Sequence, residues 1–359
     1  MEQFMRRAIE LAKKGGGWVH PNPYVGAVIV KDGRIIGEGY HKRCGDLHAE
    51  RNAFANLTES AEGATMYVTL EPCCHQGKQP PCTKAIIEHQ IKHVVIGSRD
   101  PNPLVSGKGV AQLKEAGIEV TEDFLREECD ALNPIFFHYM NNKRPFVTMK
   151  YAQSLDGKIA AEGGNAKWIS GEESRRDVQA LRSDRMGIMV GINTVLADNP
   201  RLNCRMDDGR NPIRIIMDRH LRIPEDSLIV QTAGEQETLI CTVKSEKEAW
   251  KQRAKRLENA GIKLLPQSED IKIPQVLKEL GQLGIDSILI EGGATLNASV
   301  IQAGCVDELI IYLAPKFLGA GGLSPVENLS VTDPNLAKRM KLYQMENIGD
   351  DVKLVYREV

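Results

Sequence analysis

The chain has 359 residues, of which 42% are hydrophobic, enough to build two cored domains rather than one. A formal net charge of −2 at pH 7 leaves no electrostatic footprint for nucleic acid or an anionic membrane, and neither a signal-peptide pattern nor an apolar run long enough to span a bilayer is found. Eight cysteines fall unevenly, four of them between Cys44 and Cys82, and clustered thiols without a secretory signal point to a reducing cytoplasm and to metal binding rather than disulfides.

In chain order, Phe4, Met5, Ala8, Ile9, Leu11 and Ala12 recur at helical spacing, and Gly15-Gly16-Gly17 stops that helix. Ala27–Val30 and Ile35-Ile36 read as strands joined by a tight turn at Lys31-Asp32-Gly33-Arg34. A helix is expected over His48–Leu57, a strand over Met66–Leu70 and a helix over Thr83–His89 behind Pro81. A strand at His93–Gly97, a helix at Val110–Ala116 and a strand at Ile118–Thr121 complete an α-β-β-α-β-α-β-α-β order. The polar segment Asn141–Pro145 marks a boundary. Beyond it, strands are expected at 146–152, 188–190, 213–218, 239–243, 262–265, 287–290, 309–313 and 352–355. Helices are expected at 246–259, 274–283 and 296–303, with one ending near Arg182 whose start Ser170 and Glu173 would close as a capping box. Both halves are therefore α/β.

The chemistry concentrates in His48-Ala49-Glu50 and in Glu71-Pro72-Cys73-Cys74-His75 through Pro80-Pro81-Cys82. One imidazole and two thiolates, from His48, Cys73 and Cys82, make three zinc ligands and leave a fourth tetrahedral position for water, whose pKa zinc lowers toward neutrality. His48 and Glu50 fall in the first turn of one helix, and Cys82 lies at the start of another, where a thiol is more readily ionised. Glu50 is close enough to shuttle protons without being a ligand. H-x-E followed by P-C-x-x-C is the pattern of zinc nucleobase deaminases, but here eight residues separate Cys73 from Cys82. The competing reading is a closed structural zinc site with Cys44 or Cys74 as fourth ligand. Such sites use paired Cys knuckles, whereas these ligands come from two helix starts and a strand end. Only one of two adjacent residues normally points into a site, and Cys73, directly after Pro72, is the expected ligand. Cys44, Cys129, Cys204, Cys241 and Cys305 read as core or surface thiols.

These clusters, together with Pro21-Asn22-Pro23-Tyr24-Val25-Gly26-Ala27-Val28 and Asp100-Pro101-Asn102-Pro103, resemble the bifunctional riboflavin-biosynthesis deaminase/reductase family, and the resemblance covers essentially the whole chain. In that family the wide Cys-x8-Cys spacing is normal. The resemblance implies a cytidine-deaminase-like three-layer domain over residues 1–144, zinc-dependent, and a dihydrofolate-reductase-like, NADPH-dependent domain over 145–359. The implied substrate is a small molecule, 2,5-diamino-6-(5-phosphoribosylamino)pyrimidin-4(3H)-one. It is to be hydrolytically deaminated, after which its ribosyl group is reduced to ribityl. By the same carry-over Glu50 is the proton shuttle, His48, Cys73 and Cys82 hold zinc, and Asn22, His41, Lys78, Asp100 and Asn102 lie near the substrate. Asn22 and Asp100 could read the pyrimidine edge, while Lys78 and His41 suit an anionic phosphate. Turn chemistry beside proline is the competing role for Asn22 and Asn102.

In the second half no G-x-G-x-x-G follows a strand. Ile290-Glu291-Gly292-Gly293-Ala294-Thr295-Leu296 is instead a strand ending in glycines before a helix, a place where backbone N–H groups can meet phosphate but also ordinary loop chemistry. The resemblance matches it to an NADPH-binding loop. It implies cofactor positions at Ala152, Trp168, Thr194, Asp198, Gly293, Ala294, Thr295, Leu296, Asn297, Ala298 and Ser299, and substrate positions at Lys150, Arg182, Leu202, Arg205 and Glu291. Ala166 stands where relatives can carry a substrate-contacting Ser. Arg182 and Arg205 suit a substrate phosphate, and Lys150, Asp198 or Glu291 could assist proton transfer to the ring oxygen. Relatives form oligomers, so a homo-oligomer is expected, without nucleic-acid or membrane partners. The alternative is a nucleoside or tRNA-base deaminase with a non-catalytic C-terminal module. Near-neutral charge and the long inter-cysteine segment count against it.

Overall fold

The computed structural model describes residues 1–76, 79–102, 105–327 and 329–358, and the chain divides into two compact units, Met1–Lys143 and Arg144–Val359. Among the described residues of the first unit the order is α1 (Glu2–Ala12), β1 (Gly26–Lys31), β2 (Arg34–Tyr40), α2 (Ala49–Ala55), β3 (Thr65–Leu70), α3 (Cys82–Glu88), β4 (His93–Ser98), α4 (Lys108–Glu115), β5 (Glu119–Thr121), α5 (Arg126–Asp130) and α6 (Pro134–Asn142). The expected order is present through β5. It is extended by α5 and α6, which the sequence reading left unassigned.

These strands form a five-stranded sheet, β2-β1-β3-β4-β5, antiparallel at β2-β1-β3 and parallel from β3 to β5. The period-2 geometry of a strand divides its residues between two cores. Ala27, Ile29, Met66, Val68, Val94 and Ile96 enter the core shared with Ala49, Ala53, Ala85 and Leu113 of α2, α3 and α4. Val28, Val30, Tyr67 and Val95 enter the opposite one with Met5, Ala8 and Ile9 of α1. The result is a three-layer α/β domain. Asp32 and Gly33 both adopt positive φ, 49° and 75°, at the β1–β2 turn, as a tight hairpin requires. Two glycines set how closely α2 lies on the sheet. A Cβ on Gly37 would come within 2.6 Å of the Ala53 carbonyl oxygen, and one on Gly39 within 2.4 Å of the Ala53 nitrogen.

In the second unit the order is β6 (Phe146–Ser154), α7 (Glu172–Asp184), β7 (Gly187–Gly191), α8 (Ile192–Asp198), β8 (Ile213–Met217), α9 (Leu228–Gln231), β9 (Thr238–Val243), α10 (Glu248–Asn259), β10 (Lys263–Gln267), α11 (Ile273–Gln282), β11 (Ser287–Ile290), α12 (Ala294–Gln302), β12 (Glu308–Ala314), β13 (Met340–Ile348) and β14 (Asp351–Glu358). They make a nine-stranded sheet ordered β10-β9-β8-β7-β11-β6-β12-β14-β13, parallel from β10 to β12 with an antiparallel edge. Alternating residues again serve two cores, with Met189, Ile215 and Leu239 on one face and Ile188, Ile216 and Ile240 on the other. α8, α9 and β13 escaped the sequence reading.

The expected capping box at Ser170 and Glu173 does not form. The residue before α7 is Gly171 and the helix has no side-chain cap of its own. Asp351, from the start of β14, takes that part, accepting the Gly171 N–H at 2.7 Å and the Ser174 hydroxyl at 2.6 Å. A carboxylate there satisfies an orphan donor and faces the positive end of the helix dipole. Among the described residues no helix is long and apolar enough to cross a membrane.

Candidate active sites

His48 is the residue before α2, with extended backbone (φ −68°, ψ 163°), and Glu50 sits in the first helical turn. Cys73 follows the end of β3, and Cys82 opens α3 behind Pro81. The three elements bring His48 Nδ1 within 3.5 Å of both Cys73 Sγ and Cys82 Sγ, and all three ligand atoms lie within 4.8 Å of one another. Cys74 and Cys44 are outside this group, each half-buried. Hydrogen-bonded to Cys82, the Cys73 thiol is drawn down to about 4, and the Cys82 thiol, bonded to that sulfur and buried, is pushed up. Two thiols this close cannot both ionise without a cation between them. One imidazole and two such sulfurs therefore fit Zn²⁺, and the donor count leaves a fourth tetrahedral position to a non-protein ligand.

Glu50 is 4% exposed, and burial followed by the nearby Cys73 charge raises its pKa against the opposing pull of His48. Arg51, unassigned from sequence, bonds from α2 to the carbonyls of Pro80 (3.1 Å) and Pro81 (3.0 Å), and so ties the helix bearing Glu50 to the turn that presents Cys82. Its signal was its place directly after His-Ala-Glu.

A cavity of about 460 Å³ adjoins the cluster and is lined by Asn22, His41, Asp100 and Asn102 among others. His41 Nδ1 meets the Leu47 carbonyl at 3.1 Å and its Nε2 lies 3.0 Å from Asn22 Nδ2. An amide N–H facing Nε2 and a carbonyl facing Nδ1 suit a ring that accepts at Nε2 and donates from Nδ1, which only the neutral imidazole can do, and burial favours that form by lowering the pKa. His41 is thus neutral and orients the Asn22 amide rather than offering positive charge to a phosphate. Asp100, 7% exposed, is pushed up to about 6 by burial although it accepts the Asn102 N–H at 2.8 Å. Lys78 lies outside the described residues. Glu71, which opens the Glu-Pro-Cys motif, is buried, and its carboxylate accepts the Gly107 N–H at 3.1 Å just ahead of α4. Phe136, Tyr139 and Met140 of α6 also line the cavity.

In the second unit, Lys150 on β6, Arg182 on α7 and Glu291 at the end of β11 form one charged cluster. Glu291 receives Arg182 at 2.7 and 3.0 Å and Lys150 at 3.1 Å. Burial works to raise its carboxyl, but the two cations outweigh it and hold the group at about 2. Arg182 also donates to the Asn203 carbonyl at 3.1 Å. Leu202 is buried with φ 54°, its carbonyl bonded by Gln236 at 3.1 Å, and Arg205 is exposed.

Gly293 precedes α12 with extended backbone and has nothing within 4 Å of a Cβ built there. The first-turn N–H groups of the helix have no intrahelical partners, so this end fits the phosphates of a dinucleotide such as NADPH. Helix periodicity divides the expected run: Leu296, Asn297 and Ala298 are buried, and Asn297 bonds the Pro325 carbonyl at 2.9 Å. Thr295 bonds Glu327 at 2.5 Å and Ser299 bonds back to the Thr295 carbonyl at 2.9 Å. Thr194 and Asp198 lie on α8 and Ala152 on β6. Trp168 is 65% exposed, and Lys316 holds the Trp168 and Ile169 carbonyls at 2.8 Å.

Fold and sites together define a two-unit α/β protein with a zinc-type deaminase centre in one unit and a reductase framework in the other. Residues 1–98 match the cytidine and deoxycytidylate deaminase zinc-binding region, and residues 145–354 match the RibD C-terminal domain. A riboflavin biosynthesis protein RibD of Actinobacillus pleuropneumoniae is 49% identical over 357 residues, covering 98% of this chain and 94% of the relative. That of Escherichia coli K12 is 40% identical, covering 98% of each. Among solved structures, RibD of Acinetobacter baumannii superposes with a TM-score of 0.90 at 37% identity, covering 100% of this chain and 98% of the other. A Thermotoga maritima diaminohydroxyphosphoribosylaminopyrimidine deaminase/5-amino-6-(5-phosphoribosylamino)uracil reductase does so at 0.88 and 40%, with the same coverage. The chain belongs to the RibD family of riboflavin biosynthesis proteins.

Proposed function

We infer that this chain performs two consecutive steps of riboflavin biosynthesis. The first is zinc-dependent hydrolytic deamination of 2,5-diamino-6-(5-phosphoribosylamino)pyrimidin-4(3H)-one. The second is NADPH-dependent reduction of the ribosyl side chain of that product to ribityl. The observation that carries the reading is the convergence of His48, Cys73 and Cys82 on one point beside a buried Glu50, in a chain whose other half matches the RibD C-terminal domain. A nucleoside or tRNA-base deaminase with a non-catalytic C-terminal module is not favoured, because the relatives match across both halves.

In the first step water replaces the amino group as an oxo group and ammonia leaves. Zinc, when bound, supplies the activated water. Glu50 does the proton work: a buried carboxyl with a raised pKa can take the proton of the attacking water and return it to the departing nitrogen. Asn22, aimed by His41, and Asp100 meet the polar edge of the ring.

In the second step, opening of the sugar to an imine exposes C1′ to hydride from NADPH, and the ring oxygen needs a proton. Glu291, held ionised by two cations, is a poor donor, and exposed Asp198 is at the far end of α8. The Lys150 ammonium is the proton-bearing group best placed to assist, its orientation held by Glu291. Self-association belongs to the same reading, since the outer strand β13 leaves Leu342, Tyr343 and Met345 exposed. Glu50→Gln tests the first step: deamination falls while reduction of supplied deaminated substrate continues. A variant that retains zinc and deaminates at the full rate would overturn it.

A further inference from the structure

The segment from Pro21 to Val25 carries Asn22 to the wall of the deaminase cavity, yet it is poorly equipped to hold itself there. Pro21 and Pro23 have no backbone N–H, so two of its five residues cannot donate to a neighbouring strand. The Asn22 N–H turns back to the Val19 carbonyl at 2.8 Å, and β1 begins only at Gly26. Tyr24 stands between these two anchors.

Asn133 holds the Tyr24 peptide from the side. Its Oδ1 accepts the Tyr24 N–H at 2.7 Å, and its Nδ2 donates to the Tyr24 carbonyl at 2.9 Å. The side-chain amide thus exchanges two bonds with one residue, as hydrogen-bonded partners do across an antiparallel pair, over 109 positions of sequence. Asn133 is 2% exposed and directly precedes α6, a position where Asn ordinarily caps its own helix through its side chain. α6 has no such cap, because the amide is given to Tyr24 instead. The Asn133 backbone is itself fixed, its N–H on the Asp130 carbonyl at 3.1 Å and its carbonyl on the Phe137 N–H at 3.0 Å. One and two turns further on, Phe136, Tyr139 and Met140 line the same cavity as Asn22, Pro23 and Val25. Asn133 therefore sets the spacing of two cavity walls. It lies outside residues 1–98, the stretch that matches the zinc-binding region.

We propose that Asn133 is a positioning residue for the deamination: by gripping the Tyr24 peptide it holds Asn22 at the distance from α6 that admits the pyrimidine ring. This rests on the deaminase reading given above and adds to it a residue that touches neither zinc nor substrate. An amide side chain offers two donors and one acceptor. With one Asn22 donor turned to His41 Nε2, recognition of the ring falls to the other donor and the oxygen. His41 fixes the rotation of that amide, and Asn133 fixes where it stands. Hydrogen bonds weaken steeply away from their preferred geometry, so a displaced Asn22 backbone loses contact with the polar edge of the ring.

The test follows ammonia release from the diaminopyrimidinone phosphate by the full-length, zinc-loaded chain and compares wild type with two variants. Asn133→Asp keeps an acceptor for the Tyr24 N–H but sets a second oxygen against the Tyr24 carbonyl, and Asn133→Ala removes both bonds. Loss of one such bond predicts a rise of about tenfold in KM for Asn133→Asp, and at least as much for Asn133→Ala. In both, kcat should stay within about threefold and zinc content should be unchanged, since His48, Glu50 and the cysteines are not altered. A double-mutant cycle with Asn22→Ala separates aiming of Asn22 from general support of the fold. If Asn133 acts through Asn22, adding Asn133→Asp to Asn22→Ala should lower kcat/KM by no more than about twofold. An unchanged KM, the same fold-loss in both backgrounds, or loss of zinc from both variants would each overturn the proposal. A wild-type chain that releases no ammonia from this substrate would overturn the deaminase reading itself, an outcome separate from the other three.

Discussion

Glu291→Gln is the most informative single substitution in the second unit. The native carboxylate makes three charged hydrogen bonds, to Arg182 at 2.7 and 3.0 Å and to Lys150 at 3.1 Å, from a side chain only 12% exposed. Holding that carboxyl at about 2 instead of 4.5 is worth about 3 kcal/mol to the folded state at neutral pH. Glutamine keeps one acceptor and the shape but leaves two buried cations facing each other, a loss on the order of 3–5 kcal/mol for a broken buried pair. The sign follows from the lowered pKa: the stabilisation is complete above 4.5 and disappears as pH falls through about 2. Denaturant unfolding of the whole chain, followed by fluorescence and by calorimetry, should show the variant less stable by this amount at pH 7. The gap should close as wild type is acidified below about pH 4.5. A difference under about 1 kcal/mol at pH 7, the scale of an exposed ion pair, or one that persists unchanged at pH 3, would refute the coupling of these charges.

Four further outcomes follow from the geometry. Arg51→Ala should weaken zinc affinity by roughly ten- to hundred-fold, as for other groups that orient a metal ligand, measured by chelator competition; unaltered affinity would remove Arg51 from that role. His41→Phe should raise the deaminase KM several-fold, on the order of one lost hydrogen bond to Asn22, with zinc content intact; a change in zinc stoichiometry instead would contradict the assignment. Asp100 is raised to about 6, so ionising it above that value costs the folded state, and the cost is absent below about 4. Asp100→Asn should accordingly gain up to about 3 kcal/mol of stability at pH 8 and nothing at pH 4, read by thermal unfolding, while its deaminase KM rises. Stripping zinc should abolish deamination and leave NADPH oxidation with supplied deaminated substrate, and parallel loss of both would show that the metal supports more than the first unit.

The zinc centre was legible because its chemistry is local. Cys82 was expected at a helix start and opens α3, and His48 precedes α2 as the spacing requires. The alternating strands were legible for the same reason, since each residue's face follows from its neighbours. What escaped depends on partners distant in the chain. Asp351 caps a helix 180 residues away, and no local pattern at Ser170 or Glu173 could announce that competitor. α6, Pro134–Asn142, carries Phe136 and Tyr139 to the cavity, but its mixed aromatic and polar run has no clear helical stripe. β13 is largely exposed at a sheet edge, so it lacks the buried alternation by which strands are recognised. His41 illustrates the same limit at the site. Residue type made His41 a cation, and only burial with two specific bonds made it a neutral orienting group.

The central claim, two successive reactions on one chain, is tested most directly by product masses. The zinc-loaded protein is incubated with the diaminopyrimidinone phosphate, without and then with NADPH. The account predicts exchange of one amino group for oxygen in both samples, with gain of two hydrogens only where NADPH is present. Unaltered substrate, or reduction without loss of the amino group, would contradict it.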